Sequence, residues 1–92
     1  MRMLAALNVG SVADRVVACT MSLRGCIDWR SLSYRAPAVL RCLGQLAGRT
    51  GPGLAEAAEW LRQTIAEHPV LSEPRAAGVK HELRTLAERL GR

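Results

Sequence analysis

The residues with side chains most able to do chemistry are three cysteines and two histidines: Cys19, Cys26, Cys42, His68 and His81. No two cysteines have C-x-x-C spacing, and the histidines are not placed with them as in zinc-binding sequences. An odd number of widely spaced cysteines is typical of reduced thiols in a cytosolic protein rather than of a disulfide framework. We therefore predict buried free thiols, no metal, no cofactor and a cytoplasmic location.

Catalytic patterns are equally absent from the sequence. Asp14 and Asp28 are the only acidic pair in the first half, and such residues most often lie on helix surfaces. The sequence contains no P-loop, no G-x-G-x-x-G, no G-x-S-x-G and no H-E-x-x-H motif. We expect His81 on a solvated helix face and His68 at a helix C-terminus, near the last carbonyl groups. These features predict a protein that is not an enzyme.

The positive charge is concentrated in residues 1–50, which hold seven arginines against two aspartates, whereas residues 51–92 are balanced. A basic half attracts acidic partners, including nucleic acid. Aromatic side chains among arginines suit the stacking of single-stranded bases. Nucleic-acid binding is therefore an alternative function, and coding bias toward arginine is the competing explanation. The candidate residues are Arg24, Arg30, Arg35, Arg41, Trp29 and Tyr34.

The second half of the sequence predicts two helices joined by a proline turn. Apolar residues recur at helical spacing for about fourteen positions after Gly53, until His68-Pro69 ends the helix. Ser72 then predicts an N-cap with Pro74 in the first turn, and Gly91 predicts the end of the last helix. Because the connection is short, these helices should pack as an antiparallel helical hairpin.

A further helix is expected before the Gly/Pro loop at residues 48–53, with Pro37 in its first turn. The first 35 residues allow two interpretations. Ser11 as an N-cap favours a helix, whereas the β-branched stretch from Val16 favours a β-hairpin that turns at Arg24-Gly25. The helix agrees better with the rest of the chain. We predict one all-α domain, residues 1–92, built as a bundle of three to four helices; the alternative is an N-terminal β-hairpin plus C-terminal helices.

Some apolar residues lie outside the stripe of apolar side chains that each predicted helix buries, and they indicate a binding partner. Trp60 lies off the stripe of its helix, as do Val17 and Met21 if the first segment is helical. Tryptophan is enriched among residues that anchor protein interfaces. No apolar run reaches the ~18–20 residues needed to span a membrane. The sequence therefore predicts a small non-catalytic module that binds another protein, or itself as a homodimer, through Trp60, Val17 and Met21.

Overall fold

The computed structural model describes residues 11–90, which form helices joined by short connections. The helices are α1 (Val12–Arg24), α2 (Trp29–Leu46), α3 (Leu54–Glu67) and α4 (Ala77–Arg89). A 3-10 turn, Pro74–Ala76, leads directly into α4. Residues 11–90 contain no strand. The all-α prediction is therefore confirmed, and the alternative of an N-terminal β-hairpin is wrong.

Helix α1 forms although it contains β-branched residues. Its N-terminus is capped, and its buried side chains recur at helical spacing. The Ser11 hydroxyl accepts a hydrogen bond from the backbone N–H of Asp14 at 3.1 Å. Val16, Thr20 and Leu23 are fully buried on one side. The Thr20 hydroxyl donates to the Val16 carbonyl at 2.8 Å, so its burial leaves no unpaired polar group.

Helix α2 begins eight residues before the proline that was expected in its first turn. Its N-cap is Asp28, whose Oδ1 accepts from the Ser31 backbone N–H at 2.8 Å, while the Ser31 hydroxyl faces the Asp28 N–H. This reciprocal capping box overrides the signal from Pro37. Pro37 lies in the helix interior on the exposed side. There, water can reach the Ser33 carbonyl that proline leaves without a donor.

Helix α3 spans the 14 residues predicted for it and ends before Pro69. The expectation that Ser72 caps the last helix is wrong. Its hydroxyl instead donates to the His68 carbonyl at 3.1 Å, and Glu73 holds the N-cap position of the 3-10 turn. Pro74 begins that 3-10 turn rather than the first turn of α4, which starts at Ala77. Gly91, the predicted helix end, lies outside the described residues.

Helices α1 and α3 lie side by side and run in the same direction. Ala13, in the first turn of α1, is next to Gly53, the residue that precedes α3. At the other end, the Arg24 guanidinium is 3.5 Å from the Thr64 hydroxyl. This parallel pair is the most extensive helix–helix contact among the described residues.

Helices α2 and α4 are parallel in the same way: Arg75 lies over the Trp29 ring near their starts, and Arg89 and Gly48 line one cleft near their ends. Helices α1 and α2 are antiparallel, since Arg35 of α2 lies against Gly25 at the end of α1. It follows that α3 and α4 are antiparallel, and the predicted helical hairpin is confirmed. Two such hairpins stack side by side, as neighbouring repeats do in helical solenoids.

The core between the four helices is built mainly from leucine, as a chain without phenylalanine requires. Its fully buried leucines come from all four helices and from the connection before the 3-10 turn. Every buried side-chain nitrogen and oxygen among the described residues has a hydrogen-bond partner. The largest of these core side chains are Leu23, Leu32, Leu43, Leu46, Leu61, Leu71, Leu83 and Leu90.

Candidate binding surfaces

Trp60 lies at the boundary between α1 and α3 and is partly covered from α1. The Arg24 guanidinium carbon is 5.5 Å from the centre of the Trp60 ring, in cation–π geometry. The same guanidinium contacts the Thr64 hydroxyl one turn further along α3. Trp60 therefore keeps only part of its ring exposed. The residue that covers the ring comes from the first half of the chain.

Val17 and Met21 lie on the side of α1 that carries Arg24, because the three residues are spaced at i, i+4 and i+7. Met21 is 57% exposed and Val17 is 38% exposed. Since Arg24 meets Trp60 across the α1/α3 boundary, all of the predicted partner-binding residues border one surface. We call Val17, Met21 and Trp60 the boundary patch.

The rim of the boundary patch is predominantly acidic. Asp14 lies one turn before Val17 on α1, and Glu56 lies one turn before Trp60 on α3. Glu67 follows two turns after Trp60 on the same side of α3. All three carboxylates are exposed, and Arg24 is the basic group at this surface. The patch therefore combines an apolar centre with a net negative surround.

The structure separates the residues nominated for nucleic-acid binding into two groups. Arg24 is engaged with Trp60, and Trp29 lies beneath the Arg75 guanidinium, 5.5 Å from the ring centre. Three of the remaining candidates lie on the outer side of α2, and Arg35 does not. Arg30, Tyr34 and Arg41 have i, i+4 and i+11 spacing, which places them in a line on the face opposite the buried residues of the helix. We call these three residues the basic row.

Arg35 lies apart from the basic row, toward the end of α1. Its guanidinium is beside Gly25, and its positive charge acts on the neighbouring Cys26 thiol. Ile27, in the connection between α1 and α2, is 85% exposed. The exposure of Ile27 could not be predicted from the sequence, because a residue in a four-residue connection belongs to no helical period.

Two of the cysteines are buried as predicted, whereas Cys42 is half-exposed. Cys19 of α1 and Cys42 of α2 line the same cleft and share a side-chain hydrogen bond. Burial, that hydrogen bond and the nearby Cys42 together raise the pKa of the Cys19 thiol from 9.0 to about 12, against the opposing charge of Arg15. Burial also raises the pKa of the Cys26 thiol. These two thiols consequently remain protonated and poorly nucleophilic at neutral pH.

The two histidines occupy different environments. His81 is exposed on α4, as predicted. His68 is buried, and its ring contacts the carbonyl at the end of α1 rather than carbonyls of its own helix. Within residues 11–90, no three metal-binding side chains lie close enough to hold a metal ion.

Comparison with protein-family models, curated proteins and solved structures finds no match for the chain. Within the described residues, none of the helices combines the length and apolar character that crossing a membrane requires.

Proposed function

We propose that this chain is a non-catalytic module that binds another protein through the boundary patch. The observation that carries the proposal is the exposure of Met21, at 57%, beside Val17 and the half-covered Trp60. Large apolar side chains that adjoin one another on a surface mark interaction sites more often than scattered ones do. Tryptophan and methionine are also enriched in interface cores.

The charges around the patch define the chemistry of the partner. An apolar centre surrounded by Asp14, Glu56 and Glu67 is complementary to an apolar surface with lysines or arginines at its edge. An amphipathic helix with basic flanks has this character, and it would lie along the groove between the parallel α1 and α3. The proposed partner is therefore a protein that presents such a helix.

The chemistry of the remaining polar groups supports binding rather than catalysis as the proposed role. Both ring nitrogens of His68 are occupied by backbone groups, so neither is available as a general base. The raised pKa of Cys19 disfavours its thiolate. A cytoplasmic location, where thiols stay reduced, belongs to the same proposal.

The proposal can be tested with two synthetic amphipathic helices that differ only in the charge of their polar face, one carrying lysine and the other glutamate. In a Trp29→Phe background, Trp60 is the sole tryptophan and reports on the patch by fluorescence. We expect saturable binding and a blue shift with the lysine peptide and neither with the glutamate peptide, because Asp14, Glu56 and Glu67 repel the latter.

The double variant Val17→Thr with Met21→Gln removes the apolar centre without adding charge, and should weaken lysine-peptide binding about tenfold or more. Tyr34→Ala removes a more exposed side chain, on α2 and outside the patch, and should leave binding unchanged. Equal binding of both peptides would overturn the proposal, as would full binding by the double variant. Sedimentation of the protein alone provides a further test: a dimer abolished by Met21→Gln would assign the patch to a second copy instead.

A further inference from the structure

The basic row on α2 combines two arginines with an exposed tyrosine, a composition that the boundary patch lacks. Arg30, Tyr34 and Arg41 project from the side of the helix farthest from the core. With a rise of 1.5 Å per residue, Arg30 precedes Tyr34 by about 6 Å and Arg41 follows it by about 10 Å along the helix axis. Two guanidinium groups thus bracket one aromatic ring on an exposed surface.

The phenol ring of Tyr34 has no covering group, unlike the two tryptophans. Tyr34 is 86% exposed, whereas Trp29 and Trp60 each lie under an arginine at 5.5 Å. Both faces of the Tyr34 ring are therefore open to a planar ligand. A tyrosine ring that stacks against a ligand buries a large apolar area.

The charges near the basic row are almost all positive. Helix α2 contains Arg30, Arg35 and Arg41 and no acidic residue. One carboxylate, Asp28, is held at the helix N-terminus by the Ser31 hydrogen bonds, and its charge interacts with that of Arg30. Arg41 lies about three and a half turns, or about 20 Å, beyond that carboxylate, so the positive potential of the row extends along most of the helix.

We propose that the basic row binds single-stranded nucleic acid, with a base stacked on Tyr34 and phosphates bound by Arg30 and Arg41. Every base has a π-face, so stacking on tyrosine requires no particular sequence, and arginines on either side track the backbone. The axial span from Arg30 to Arg41 is about 16 Å, the length of about five nucleotides stacked at 3.4 Å each.

Other polyanionic surfaces fit the row less well. A double helix offers phosphates to the arginines but keeps its bases stacked on one another, which leaves Tyr34 without a ligand. An anionic membrane selects helices that pair basic residues with a broad apolar face. On the outer face of α2, Tyr34 is accompanied by the small residues Ala38 and Gly44 instead of large apolar ones.

The test is fluorescence anisotropy with labelled single strands of about 12 nucleotides, against the same sequence as a duplex. Two phosphate contacts predict that affinity falls about sevenfold between 50 and 200 mM salt. Tyr34→Ala should weaken single-strand binding by at least about fivefold through the lost stacking, whereas Tyr34→Phe, which keeps the ring, should bind as the parent does.

The double variant Arg30→Gln with Arg41→Gln should abolish most of the salt dependence. Lys80→Gln with Arg84→Gln removes the same charge from α4 and serves as the matched control. The proposal is overturned if no binding occurs at low salt, if the duplex binds as tightly as the single strand, or if Tyr34→Ala has no effect. Stronger binding to phosphatidylserine vesicles than to the oligonucleotide would assign the row to membranes instead.

The basic row and the boundary patch belong to different helices, so the two proposals can fail separately. Met21→Gln should leave oligonucleotide binding intact, and Tyr34→Ala should leave peptide binding intact. A variant that lost both activities would point to a folding defect, which circular dichroism detects.

Discussion

The imidazole of His68 is hydrogen-bonded to the carbonyl of Leu23, with 2.7 Å between Nε2 and the oxygen. The Val70 backbone N–H donates to Nδ1 of the same ring at 3.1 Å. Because Nδ1 accepts, it carries no proton, and Nε2–H is the donor to Leu23. One neutral side chain thus joins the end of α1 to the connection between α3 and α4.

Replacement of His68 by alanine should destabilise the fold by about 1–3 kcal/mol, because the buried Val70 N–H loses its acceptor and the ring leaves a cavity. Urea denaturation followed by circular dichroism measures the change. His81→Ala, at an exposed site on α4, is the matched control and should shift stability by less than about 0.5 kcal/mol. Equal effects of the two substitutions would contradict the role assigned to His68.

The cap of α2 should make stability depend on acidic pH. Hydrogen bonds from Ser31 hold the pKa of the Asp28 carboxyl below its ordinary value of 3.8. The unfolded chain therefore binds the proton more readily, so this contribution is present above that value and is lost as pH falls through the lower folded pKa. Melting temperatures measured from pH 5 downward should begin to fall at about pH 4.

Asp28→Asn keeps a capping oxygen but cannot titrate, so its acid-induced loss should be smaller than that of the parent. An identical decline in both proteins would show that other carboxylates cause it.

The Cys19 thiol should destabilise the fold in alkali. Its pKa is raised from 9.0 to about 12 in the folded protein, chiefly by burial. The folded state therefore holds the proton longer than the unfolded chain, so stability is full below pH 9 and declines as pH rises toward 12. Denaturation at a series of alkaline pH values measures this decline.

Cys19→Ala is the variant to compare with the parent protein. It should lower stability at neutral pH through the lost packing, yet flatten the decline above pH 9. An unchanged slope would mean that Cys19 titrates alike in the folded and unfolded chains.

Two glycines should respond in opposite ways to alanine. Gly44 lies on the exposed side of α2, with open space for 4 Å around the position that a methyl group would take, so Gly44→Ala should stabilise the protein by about 0.5–1 kcal/mol. Gly53 has φ of 76°, where an L side chain is strained, so Gly53→Ala should destabilise by about 1 kcal/mol. Thermal unfolding of the two variants measures both changes in stability. Changes of the same sign would contradict the prediction for one of the two glycines.

The second hairpin could be predicted from the sequence because its signals agree. Gly53 precedes α3, Pro69 follows it, and the apolar residues between them have one helical period. The start of α2 could not be located, because Asp28 and Ser31 form a capping box in the reverse of the usual residue order and Pro37 resembles a first-turn proline. Because the predicted helix began near Pro37, Arg30 and Tyr34 were not assigned to the same helix as Arg41, and the alignment of the three residues could not be predicted.

The pairing of helices could not be derived from periodicity. A helical period identifies which side of a segment is buried, but it does not identify the neighbouring helix that buries it. The parallel contact between α1 and α3 depends on the path of the connection at residues 47–53, which places the start of α3 next to the start of α1. For the same reason, the sequence indicated that Trp60 lies off its stripe but did not identify Arg24 as the residue that covers it.

The parallel placement of α1 and α3 also determines how the chain must fold. Each hairpin joins segments close in sequence, but the broadest contact joins residues about forty positions apart, as Arg24 and Thr64 are. Closing so long a loop costs conformational entropy, which the chain loses before the α1–α3 contact can stabilise the bundle. We therefore expect the rate-limiting step to be the docking of α1 on α3, which makes this bundle a slower folder than one in which every helix packs on its successor.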